Sequence, residues 1–210
     1  MVSSRPVRLE AQDAALSRLR SAVRIRYGLL RVSLSQIRST TIAPFYKGWH
    51  LVNESLINAL APLSAEQLAL PVGSATWPIW ASASHLAGAR VYWLCHVFKE
   101  PGADTTPFTD PTGFGWEDDL ARPRSADELV GALASSWKIV ERCLATWTPE
   151  SLDQEARRTR GTVVQMHTRQ SVLMRMITHD AYHSSEISLI LGSNGRPAID
   201  PWSGLSRLVP

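Results

Sequence analysis

The chain has 210 residues, 44% of them hydrophobic and 20% charged, with 22 Lys+Arg against 19 Asp+Glu. That length suits one domain with a buried core, and the balance of apolar and charged residues excludes disorder throughout. No apolar run is long enough to span a membrane. Cys95 and Cys143, each without a second thiol nearby, exclude a disulfide scaffold, a thiolate zinc site and a CxxC redox centre, so a reducing cytoplasm is the expected location.

Charge is unevenly placed. Residues 1–44 hold eight arginines against Glu10 and Asp13, whereas residues 45–210 hold fourteen basic and seventeen acidic side chains. In the basic segment Leu9, Leu16, Leu19, Val23, Tyr27, Leu30, Leu34 and Ile37 recur at helical spacing. This predicts an extra N-terminal amphipathic helix, a basic extension over 1–44 preceding a domain over 45–210. Its plain reading is an extra helix packed on the bundle, or a loosely ordered extension before the domain proper. The alternatives are contact with nucleic acid, an anionic membrane or a partner, and an organellar transit segment.

From Pro44 onward the signals are helical. Lys47–Leu60 is amphipathic and stops at Pro62, and Ser64 with Gln67 has the spacing of a capping box. A second helix is expected over Trp77–Lys99, with Thr76 as N-cap and Pro78 in the first turn. Residues 101–124, rich in proline, glycine and aromatics, form a long connection. Ser125 with Glu128 opens a third helix that runs to Trp147. Thr162–Met166 is β-branched and reads as a strand-like loop, and a fourth helix over Gln170–Leu191 stops at Gly192-Ser193-Asn194-Gly195. Little strand signal and four long helices give an all-α class, a four-helix bundle. The long connection forms a crossover that lets helices two and three lie parallel.

Chemistry resides in the histidines: His50, His85, His96, His167, His179 and His183. His179 and His183 lie four residues apart on the fourth helix, so both project from one face and can share a metal ion. The same stripe carries Val172, Met176, Glu186 and Ile190, so the polar groups interrupt a face that should be buried. A metal ion would satisfy them together. His85, flanked by small residues that permit close helix approach, is the preferred third ligand. His96, eleven residues on, lies about 16 Å further along the axis and cannot reach the same ion. His50 and His167 fit surface or hydrogen-bonding roles. His179-Asp180-Ala181-Tyr182-His183 also looks like a zincin motif with Asp for Glu, but no histidine follows it. An HD-type phosphohydrolase would need further ligands, and Asp180 is expected as a surface or capping partner.

His85 within the second helix, the stretch His179–Ile187, and Leu191-Gly192-Ser193-Asn194-Gly195-Arg196-Pro197 together resemble the DinB-like superfamily of metal-binding four-helix bundles. The resemblance spans residues 45–202 and implies a metal triad at His85, His179 and His183, the residues already chosen on geometry. The family's motif usually continues with a small residue and Gln, where this chain has Ser185 and Glu186. Relatives include thiol-dependent S-transferases and an isomerase. The resemblance therefore implies one divalent ion, zinc first and nickel second, with a low-molecular-weight thiol as cosubstrate and a small electrophile as substrate. Glu186 is the expected catalytic residue, orienting a ligand or accepting a proton, and a homodimer is the expected assembly. The competing expectations are a hydrolase that activates water at the same ion, and a non-catalytic bundle with a structural metal.

Overall fold

The computed structural model describes residues 41–71, 77–108 and 119–206. The expected N-terminal helix over 1–44 and the middle of the long connection, residues 109–118, therefore lie almost wholly outside the described residues.

Helix α1, Trp49–Leu60, starts after Gly48, whose φ of 98° is a left-handed conformation that residues with a side chain rarely adopt. It buries Trp49, Asn53, Leu56 and Leu60 at helical spacing. Ser64 and Gln67 cap each other at the short turn α2, Ala65–Leu68, as the sequence predicts. Helix α3, Ile79–Val91, begins later than expected. Pro78, in extended conformation, is its N-cap, which suits a residue that cannot donate within the helix. It is buried nearly all round because Ala81, Ser82, Ala83, Ala87 and Gly88 let neighbouring helices come close. The helix continues as a π-helical stretch, Tyr92–Val97, of the kind that re-aims side chains near functional sites.

Helix α4, Ala126–Thr146, opens with the reciprocal Ser125–Glu128 capping box. Helix α5, Arg169–Ser193, is capped by the Thr168 side chain and ends at Asn194-Gly195. Helix α3 packs against α4 and α5, and α1 packs on the same two. Leu56, Leu60, Ile79, Leu86, Leu133, Ile139, Leu173 and Ile187 form the shared core. Each such side chain contributes about 1.5–3 kcal/mol of burial. Among the described residues no helix is long and apolar enough to cross a membrane.

The all-α expectation needs one correction. Between α4 and α5 lies an antiparallel hairpin, β1 (Glu155–Arg160) and β2 (Val163–Thr168), in register from Glu155–Thr168 to Arg160–Val163. The second strand takes in most of the β-branched stretch Thr162–Met166, which the sequence suggests only as a strand-like loop. Its partner, Glu-Ala-Arg-Arg-Thr-Arg, has no apolar alternation and is held by ladder hydrogen bonds and by the tight turn at Gly161, φ 57°.

Candidate metal centre

Two helices build the centre. The small residues around His85 bring α3 against α5, and the i,i+4 spacing of His179 and His183 presents both rings to it. The Nε2 atoms of His179 and His85 are 3.0 Å apart. Ring centroids are separated by 4.8 Å for His85–His179, 5.4 Å for His85–His183 and 4.6 Å for His179–His183. One nitrogen from each ring can be chosen so that all three lie within 4.8 Å of one another. Two nitrogens on a tetrahedral zinc ion at 2.0–2.1 Å would stand about 3.3 Å apart, so the three rings can share one ion once the widest pair draws closer.

Protonation and orientation agree with that fit. Burial, then the neighbouring His183 and His85, then Arg175 and Arg90, push the His179 imidazole down to about 3. The ring is thus neutral near pH 7, with a lone pair to offer. His183 Nδ1 lies 2.8 Å from Glu186 Oε2, which leaves its Nε2 for an ion. The Glu186 carboxylate beside Tyr182 also pushes that phenol's pKa up. The Trp77 ring stands edge-on to His85 at 5.2 Å.

The structure thus brings His85, His179 and His183 together, with Glu186 directly behind one of them. It leaves the other histidines apart. His50 is exposed, His96 stacks on Tyr92 at 5.4 Å, and His167 is half-buried against Trp93 at 4.8 Å.

Asp180 is a correction. Expected at the surface or at a cap, it is 2% exposed and forms an ion pair with Arg90, 1% exposed, at 2.7 Å. Arg90 Nε reaches the other carboxylate oxygen at 3.3 Å, and Trp49 Nε1 donates to the carboxylate at 2.9 Å. Arg90 Nη1 donates to Asn53 at 2.6 Å, and its guanidinium lies 5.5 Å from the Trp137 ring centre. One residue is about 100° of helix rotation. That step takes Asp180 off the histidine face and into the interior between α1 and α3. The network ties α5 to both neighbours beside His179. Arg90 carries no motif, so only its partner count in the fold identifies it.

An open groove of about 540 Å³ borders the centre, with His179, Arg175, His167, Met174 and Tyr182 among its walls. Cys95 and Cys143 are free thiols, pushed up by burial to about 11 and about 12 respectively.

The sequence profile of the DinB superfamily matches residues 49–187, a span that contains all three histidines. No curated protein matches the chain. The fold is similar to the crystal structure of a DinB-like protein from Bacillus cereus ATCC 10987, with TM-score 0.54 and 20% sequence identity. That similarity covers 74% of this chain and 93% of the other. With a profile match over most of its length and a fold that agrees, the chain belongs to the DinB superfamily.

Proposed function

We propose that this protein is a metal-dependent S-transferase, in which a DinB-like four-helix bundle joins the sulfur of a low-molecular-weight thiol to a small electrophile at the His85–His179–His183 centre. The observation that carries the reading is the convergence of three imidazoles beside an open groove. A divalent ion held there, zinc before nickel, would keep an incoming thiol as its thiolate near neutral pH.

The chain's own residues supply the rest. His179 stays neutral, and Glu186 holds the Nδ1 proton of His183, so that ring keeps one tautomer and one orientation. The raised thiol pKa values of Cys95 and Cys143 leave the protein no thiolate of its own at neutral pH, so the sulfur nucleophile comes from a cosubstrate. In the transfer a sulfur–carbon bond forms, the bond from that carbon to its leaving group breaks, and the thiol proton departs with the leaving group.

Cobalt-substituted protein tests this. Adding a thiol should produce sulfur-to-metal charge-transfer absorption, and electrophile consumption should require both metal and thiol. Spectra indifferent to every thiol, together with hydrolysis of esters or amides, would instead establish water as the nucleophile. A metal that can be neither exchanged nor removed without unfolding, with no turnover, would establish a structural role.

A further inference from the structure

We infer that the groove beside His179 is a carboxylate-binding subsite, in which Arg175 takes the carboxylate and Arg158, stacked with it on Trp93, reinforces the positive field. The inference rests on the enzymatic reading of the histidine centre and specifies what its substrate carries.

Two cations share one aromatic ring. The guanidinium of Arg175 lies 4.9 Å from the Trp93 ring centre and that of Arg158 lies 5.0 Å from it. Arg158 is further fixed by Tyr92, whose hydroxyl accepts from Nε at 2.8 Å, and by Gln165 Oε1 at 3.2 Å. Neither arginine has a carboxylate partner among the described residues. Three acids of the surrounding segments are taken up elsewhere: Glu100 by Arg169, Asp180 by Arg90 and Glu186 by His183. The positive potential is felt by His167, 4.8 Å from the same indole, whose pKa is lowered by burial and then by Arg175 and Arg158. A positive field at the wall of a groove concentrates anions there.

Geometry connects this field to the chemistry. Arg175 and His179 both line the groove and stand four residues apart on α5. That spacing is one turn on one face, about 6 Å along the axis. An anion on Arg175 would therefore place an atom a few bonds away at the histidine centre. A groove of about 540 Å³ accommodates a small organic molecule.

The donor set favours a carboxylate over a phosphate. One guanidinium fork holds two oxygens of either group, but the third oxygen and second charge of a phosphate would need further donors. The nearby hydroxyls are already spent, since Ser171 donates to Thr168 O at 2.8 Å and Thr178 to Met174 O at 2.9 Å. The exposed side chains of Met174 and Tyr182 offer apolar contact for the body of the molecule.

Phenylacetate and its neutral analogue phenylacetamide are suitable probes, read from the His167 ring-proton resonances in zinc-loaded and metal-free protein. Phenylacetate should bind at least tenfold more tightly than the amide and raise the His167 pKa. Arg175→Gln should weaken it at least tenfold, with Arg175→Lys and Arg158→Gln in between, and His183→Ala should leave it in place. Equal binding of the two probes, or binding indifferent to Arg175→Gln, overturns the inference. Phenylacetate binding that needs zinc and survives Arg175→Gln also overturns it, while leaving the metal centre standing. Phenylacetate binding that depends on Arg175 in a protein that takes up no metal supports the subsite and removes the enzymatic reading instead.

Turnover distinguishes which reactant carries the group. 2-Mercaptoethanol with 4-(chloromethyl)benzoate, and 3-mercaptopropionate with 4-(chloromethyl)benzamide, place the carboxylate on the electrophile or on the thiol. Arg175→Gln should raise KM at least tenfold for the carboxylated reactant of the productive pair and leave the neutral one unchanged. A loss confined to kcat in both pairs would refute the subsite.

Discussion

Asp180→Ala removes the anionic half of a pair whose two side chains are 1% and 2% exposed. Among the described residues, the Arg90 charge would then remain in the interior with Asn53 as its acceptor, and Trp49 Nε1 would lose Asp180. Removing one partner of a buried ion pair costs about 3–5 kcal/mol, mainly because the other charge stays buried and uncompensated. For a chain of this size each kcal/mol lowers Tm by about 2–4 °C, so the expected fall is roughly 6–20 °C. Replacing both charges with apolar residues of similar volume, Asp180→Leu with Arg90→Met, should recover most of the loss, because no orphaned ion is left. Urea unfolding with an unchanged m-value measures the stabilities, and zinc titration reports whether His179, the preceding residue, has moved. A stability within 1 kcal/mol of wild type for Asp180→Ala, or a double variant as unstable as the single one, would refute the reasoning.

Three further outcomes are expected. His85→Ala, His179→Ala and His183→Ala should each cut zinc occupancy at least tenfold by metal analysis of untagged protein, whereas His50→Ala and His96→Ala should leave it unchanged. Metal-free protein should lose stability as pH falls from the ordinary imidazole value of 6.5 towards about 3, because the unfolded chain binds a proton that folded His179 refuses. The slope of urea midpoint against pH in that window should flatten in His179→Ala, and an unchanged slope would show that other groups dominate. Glu186→Gln keeps an acceptor for His183 Nδ1 and should hold zinc affinity within about tenfold, whereas Glu186→Ala should weaken it 10–100-fold. Isothermal titration of the two variants side by side checks the ordering.

Local pattern determined much of this protein. The capping boxes at Ser64 and Ser125, the stop at Asn194-Gly195 and the shared face of His179 and His183 depend only on residues a few positions apart. The helix rise excluded His85 and His96 from one ion, and the small residues around His85 chose between them. What lay beyond reach was whatever a helix face meets. Periodicity turns Asp180 away from the histidines, but Arg90 awaits it from ninety positions back in the chain. The first hairpin strand carries a single apolar residue, Ala156, and declares itself only when paired with the second. Trp93, Arg158 and Arg175 come from the end of α3, from β1 and from α5, so their shared cation–aromatic cluster exists only in the folded chain. Local sequence decides which side of an element is apolar, because that follows from backbone geometry. Which charges are buried together, and which gather on one aromatic ring, is decided by packing between distant segments.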